Sequence, residues 1–220
     1  MINLYAGHDP REEIGFHVFV SSVLEHATKP LAIHALSSRC MPVGSTSFTY
    51  SRFLGPWLQN YTGHAIFCDA SDMLMLDDVA TLDALFDDRY AVQVVKHAPY
   101  KTRHPIKFRG TSMQCPNRDY ARKQWGSVMI MNAEHRFWRA LTPETLASRA
   151  GIKLLQFDGL ADEAIGALPD KWNRIVDEDQ PVEGAALCHW TAGIACFPAY
   201  RDTPGADLWR AQYARMLEIC

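Results

Sequence analysis

The chain has 220 residues, 48% of them hydrophobic, and a formal charge of −3, which suits one substantial core with at most a small appendage. No basic block dominates, so a nucleic-acid or acidic-membrane partner is not expected, and an anionic substrate would need local cations. No apolar stretch reaches the length of a membrane span, and the N-terminus opens on a strand-like segment without the parts of a secretory signal, so a cytoplasmic protein is expected.

Ile2–Gly7 reads as a first strand, and the apolar spacing from Ile14 to Leu24 predicts a helix that ends before Lys29-Pro30. Leu31–Leu36 is a second strand, Phe48–Tyr61 a helix despite Pro56, and Ala65–Cys68 a third strand of the buried type. Val79–Phe86 predicts a short helix, Ala91–Val95 and Ser127–Met131 further strands, and Pro143–Ala150 and Asp207–Leu217 helices. Gly159–Gly184 reads as short elements and loops. Strand and helix alternate from the first residue, which is the pattern of a single α/β domain spanning 1–220 with a mostly parallel central sheet. The stretch 96–123 is long, basic and weakly periodic, and is expected to be a mobile loop within that domain. Six cysteines, Cys40, Cys68, Cys115, Cys188, Cys196 and Cys220, have no CxxC spacing and are expected to be reduced and mostly buried.

The segment His64-Ala65-Ile66-Phe67-Cys68-Asp69-Ala70-Ser71-Asp72-Met73 carries the most information. Its buried strand delivers two carboxylates where parallel sheets bind ligands, and such a pair can hold a hard cation. An aspartate at a strand end also serves simply to cap the next turn.

In order and spacing, several segments resemble the nucleotide-sugar glycosyltransferases of the GT-A fold, particularly the family 8 group of glycogenin and the lipopolysaccharide galactosyltransferases. They are Ile2–Arg11, Phe48–Phe53, Ala65–Asp78, Trp125–Asn132, Leu168–Asn173 and Leu187–Trp190. The resemblance implies a Rossmann-like GT-A domain that moves a sugar from a nucleoside diphosphate donor, uridine-based, to a hydroxyl of a saccharide or glycan. It also implies that Asp69, Asp72 and His189 hold Mn2+ or Mg2+. Ala6, Asp9, Ser71, Trp172 and Asn173 then line the donor, Arg52 and Arg122 reach its diphosphate, and Gln156, Asp158 and Asp162 are polar candidates beside the sugar, the first two for catalysis.

Two departures from that pattern matter. The acids are separated by two residues, Ala70 and Ser71, so either one acid reaches the metal through water or the turn bulges to present both. The segment Thr191-Ala192-Gly193-Ile194-Ala195-Cys196 lacks the family's lysine, leaving Arg52, Arg118, Arg122 and Lys123 as substitutes, with Arg103, His104, Lys107 and Arg109 in the same basic stretch. These departures keep open a sugar-nucleotide or glycan binding module without turnover. A nucleotidyltransferase is a further alternative, although Gly7-His8-Asp9-Pro10-Arg11 is a poor phosphate loop.

Overall fold

A computed structural model describes residues 1–37, 41–42 and 44–218. Its centre is a six-stranded sheet in the order β2-β1-β3-β8-β5-β9. The strands are β1 (Ile2–Gly7), β2 (Leu31–Leu36), β3 (His64–Cys68), β5 (Val92–Val94), β8 (Val128–Asn132) and β9 (Ile165–Ala167). Within it β8 alone runs against its neighbours, so the sheet is mixed but mostly parallel.

Alternation along the strands splits the apolar side chains between two cores. Leu4, Ala6, Ile66, Cys68, Val128 and Ile130 face helix α1 (Glu13–His26) through Phe16, Phe19 and Val23. Tyr5, Ala65, Phe67, Met129 and Met131 face Phe48, Phe53, Trp138 and Leu154 on the other side. A central strand buried on both faces reads as a continuous apolar run, which is why β3 and β8 were evident from sequence.

Three short strands, β4 (Met73–Met75), β10 (Arg174–Ile175) and β11 (Leu187–His189), form a second sheet in the order β10-β11-β4. Leu74, Cys188, Trp190, Val18 and Trp209 join that sheet to α1 and to the last helix, α6 (Ala206–Glu218). The remaining strands, β6 (Ile106–Lys107) and β7 (Cys115–Pro116), pair as a hairpin within the long basic stretch.

The helix expected over Phe48–Tyr61 is not continuous. It resolves into a 3₁₀ turn at Ser51–Phe53 and a short helix α2 (Gly55–Leu58), with Asn60 and Tyr61 in the left-handed region. Pro56 has no N–H to continue the preceding turn but fits the first turn of a new helix. Helices α3 (Val79–Asp83), α4 (Pro143–Ser148) and α5 (Gly151–Leu155) complete the chain. Cys68 and Cys188 are buried thiols and Cys115 and Cys196 half-buried ones, all free, while Cys40 and Cys220 lie outside the described residues.

Candidate active site

The two carboxylates sit on the turn that carries the chain from the large sheet to the small one. The Asp69 N–H donates to the Ser127 carbonyl at 2.9 Å, extending the β3–β8 ladder, and the Trp190 N–H donates to the Asp72 carbonyl at 2.9 Å, extending the β4–β11 ladder. Ala70 takes a left-handed φ of 66° between them, a conformation that costs an alanine about 1 kcal/mol. The turn therefore bulges, and the wider acid spacing still presents both side chains to one point. Helix α1 is pressed against it, since a Cβ on Gly15 would stand 2.0 Å from the Ser71 carbonyl.

Antiparallel register supplies the third group. His189 pairs with Met73, the residue after Asp72, so its imidazole is carried to the acids although it lies far along the chain. Candidate ligand atoms of Asp69, Asp72 and His189 all fall within 4.8 Å of one another. His189 Nε2 is 3.3 Å from Asp72 Oδ2, and its Nδ1 is 2.8 Å from Asn173 Oδ1. The Asn173 amide nitrogen donates to the Gln124 carbonyl at 3.2 Å, which turns its oxygen toward the imidazole. Nδ1–H is thereby the donor, and Nε2 is left as the group that can bind a cation.

Arg52 Nη1 makes a 2.8 Å ion-pair contact with Asp69 Oδ1, but its hydrogen bond goes to the Gly126 carbonyl at 2.9 Å, so that oxygen receives no aligned N–H. Asp72 Oδ1 is likewise buried without a partner. Burial pushes the Asp69 carboxyl up, and Arg52 offsets only part of that. For Asp72 burial also acts upward, yet the charge of His189 prevails and holds the carboxyl below its ordinary value. The imidazole responds in kind, with burial acting downward and Asp72 raising it overall. Two orphaned buried carboxylate oxygens beside an oriented imidazole suit a hard divalent cation, manganese or magnesium, better than a soft one. A third acid lies close by: Glu12 is 2% exposed, neither of its carboxylate oxygens has a partner, and burial together with Asp72 holds its carboxyl well above the usual range.

The acids open into a cavity of about 370 Å³ whose walls include Thr46, Tyr50, Arg52, Lys107, Arg118 and Ile152. A larger groove of about 1130 Å³ between α1 and α6 is lined by Ile14, Val20, Leu24, Met216 and Leu217 with charged side chains around them, and the Asp69–Asp72–His189 cluster is not in it.

Of the residues singled out in the sequence, the structure brings Asp69, Asp72, His189, Arg52 and Asn173 together. Of the cations named with the basic stretch, Lys107, Arg118 and Lys123 also line the cavity, and the remaining candidates do not reach it. Asp9 is fully buried, and its carboxylate accepts from the Arg11 side chain and from the Arg11 and Ser47 backbone N–H groups. Burial alone would raise it, but these bonds outweigh burial and hold it at about 2; its oxygens are already in use, in place of the expected nucleoside contact. Ala6 and Trp172 belong to the core, and the Ser71 hydroxyl donates to the Gly7 carbonyl. Arg122 is turned away to the Gln156 carbonyl and the Asp162 carboxylate. Gln156 caps α5, and Asp158 lines a separate depression beside His135 and Arg149. Gln124 lines the cavity without having stood out in the sequence as a site residue, and Lys107 stood out only as one cation of the basic stretch. Such a stretch offers many lysines and arginines, and only the fold shows which of them face inward.

No family model matches the chain. In fold it is similar to the apo structure of the bifunctional glycosyltransferase WbbM, with a TM-score of 0.65 and 12% identity over 97% of this chain and 49% of that one. It is similar to the glycosyltransferase GlyE of Streptococcus pneumoniae TIGR4, with a TM-score of 0.64 and 12% identity over 99% of this chain and 62% of that one. The galactosyltransferase LgtC, solved in complex with donor and acceptor sugar analogs, gives a TM-score of 0.60 and 14% identity, with 97% of this chain and 96% of that one covered. The chain thus spans about half of WbbM and 62% of GlyE. Its fold is the GT-A fold of the glycosyltransferases, and it resembles family 8. In sequence it is 33% identical to Protein CDI of Arabidopsis thaliana over 223 residues, which covers 94% of this chain and 83% of that protein, and it belongs to the same family.

Proposed function

We propose that the protein is a metal-dependent glycosyltransferase that moves a sugar from a nucleoside diphosphate donor, uridine-based, to a hydroxyl of a saccharide or glycan. The observation that carries this reading is the pair of orphaned carboxylate oxygens on Asp69 and Asp72 beside the oriented Nε2 of His189. A cation held there would neutralise the diphosphate's charge as it develops.

Transfer breaks the bond from the anomeric carbon to the diphosphate oxygen, and the electron pair stays with the diphosphate. A new bond forms from that carbon to the acceptor oxygen, and the acceptor's proton passes to the leaving diphosphate. Asp158 lies on another depression and Gln156 at the cap of α5, so neither is assigned a step. Asp69, Asp72 and His189 hold the charge, Arg52 compensates Asp69, and Asn173 keeps the imidazole turned. Among the described residues no helix is long and apolar enough to cross a membrane.

A thermal-shift screen of nucleoside diphosphate sugars with and without manganese tests the reading, because a ligand that binds the native state raises the melting temperature by mass action. Uridine diphosphate sugars are expected to stabilise the protein only with the ion, and donor hydrolysis in the same mixture separates an enzyme from a binding module. A screen in which no nucleotide sugar shifts the melting point would reject it. The stretch 96–123 is expected to tighten over the donor, seen as slower hydrogen exchange with donor and manganese than without.

A further inference from the structure

The cavity has two acids at its floor and four cations on its walls. Two of the cations are engaged: Arg52 with Asp69 and Lys123 with Asp119. Lys107 and Arg118, which also line the cavity, have no ion-pair partner among the described residues. Both come from the excursion that contains the β6–β7 hairpin.

The hairpin is seated firmly. Lys107 lies opposite Cys115, and the next residue, Phe108, is fully buried with its N–H donating to the Ala192 carbonyl at 2.6 Å. The Arg109 N–H donates to the Tyr200 hydroxyl at 2.9 Å, and the Tyr200 ring rests on Gly193, where a Cβ would stand 2.5 Å from it. The backbone of Lys107 is thus fixed beside the segment that follows His189, and the side chain reaches the cavity wall. Its ammonium acts on Asp69, Asp72 and Glu12 alike, yet it pairs closely with none of them. A basic group so placed is free to take an anion that arrives with the cation.

We propose that the hairpin is an anion clamp for the diphosphate of the bound nucleotide, with Lys107 as its inner and Arg118 as its outer cation. The inference rests on the nucleotide-donor reading above. One side of the diphosphate would meet the cation held by Asp69, Asp72 and His189, and the other would meet Lys107 and Arg118. Lysine supplies a point charge, whereas the arginine fork can engage two oxygens at once. Tyr200 is a positioning residue, acting through the Arg109 N–H on the hairpin.

Calorimetric titration of the full chain with UDP, and with inorganic pyrophosphate as a base-free probe, tests the clamp in the presence of manganese. Lys107→Met is expected to weaken both ligands by roughly 10- to 100-fold, the range of a charge-assisted hydrogen bond. Arg118→Met should weaken them less, and Lys107→Arg should keep most of the affinity. The wild-type affinity should fall with added salt more steeply than that of the double variant. Tyr200→Phe should weaken both ligands while leaving manganese binding alone. Lys107 and Arg118 are not buried, and unchanged melting temperatures without ligand would show that the variants fold. Equal UDP binding by wild type and the Met variants would overturn the clamp and leave the nucleotide reading intact. Pyrophosphate binding that depends on Lys107, with no UDP binding, would support the clamp and reject the uridine donor. Binding of neither ligand by the wild type would overturn both.

Discussion

The acid turn and the basic hairpin face each other across one cavity but are built in opposite ways. The turn continues two sheet ladders, and its acids are almost fully buried. The hairpin has two-residue strands and is held at a few discrete points, with its charged side chains half-buried or exposed. Charges set in a rigid, dry frame are strongly coupled to the fold, whereas charges that reach solvent from an anchored backbone can be changed with little effect on it. Variants in the turn should therefore affect both stability and binding, and variants in the hairpin binding alone.

The largest effect is expected from the ligating groups. Asp69→Ala, Asp72→Ala and His189→Ala should each abolish the manganese-dependent stabilisation by donor, a loss beyond the roughly 10- to 100-fold that outer-shell changes cause. Stabilisation that persists in all three would remove the metal from the site. Proton competition gives a second readout. Burial acts downward on His189, but Asp72 raises it above its ordinary value of about 6.5, and a bound cation must displace that proton from Nε2. Manganese affinity should therefore fall as pH drops, with proton release on binding visible when titrations are repeated in buffers of different ionisation enthalpy.

Arg52 follows. From sequence it reads as a contact to the donor's diphosphate, but the structure surrounds it with the Phe48 and Phe67 rings and pairs it with a buried aspartate. Removing one partner of a buried pair leaves the other uncompensated at a cost of about 3–5 kcal/mol. Arg52→Met should unfold at markedly lower denaturant, and manganese should restore part of the loss by taking over the charge of Asp69. An unchanged denaturation midpoint would show that water already screens Asp69. Asn173→Ala, which frees the imidazole to turn, should reduce manganese affinity by roughly 10- to 100-fold while His189 itself is intact.

The same contrast sets what could be read in the sequence. β1, α1, β3 and β8 were legible because their apolar residues repeat at the period of the element or run unbroken where both faces are covered. The acid pair was legible as residue types at a strand end, and His189 and Arg52 only through the resemblance to family 8. Their mutual arrangement was not, because it depends on the register that sets His189 beside Met73 and on the left-handed turn at Ala70. Asn173 read as a lining residue and proves to be the group that orients the imidazole. The hairpin was missed because two-residue strands carry no periodicity, and Asp9 misled because a turn aspartate and a ligand-binding one look alike in sequence.

Glu12 gives the smallest effect and the sharpest test of how dry the turn is. As an acid beside the start of α1 it looks like an ordinary solvated helix-terminal glutamate, but it is buried without a partner for either oxygen. Burial first, and then the charge of Asp72, raise its carboxyl. The folded state therefore keeps this proton to a higher pH than the unfolded chain does. Its contribution to stability is fully present below the unfolded value of about 4.3 and is lost as pH rises through the raised folded value. Glu12→Gln removes the ionisation and keeps the shape, so the variant should be more stable than wild type at neutral pH, by about 1.4 kcal/mol for each pH unit that the folded value stands above the unfolded one. The gain should shrink toward about pH 4, where wild-type Glu12 is protonated in both states. Chemical denaturation of the two proteins across that range provides the measurement. A difference that stays flat with pH would mean that Glu12 titrates alike in the folded and unfolded states, whereas an advantage of the variant that grows toward low pH would mean that Glu12 is ionised and paired at neutrality, with Lys107 and Arg11 the cations that act on it.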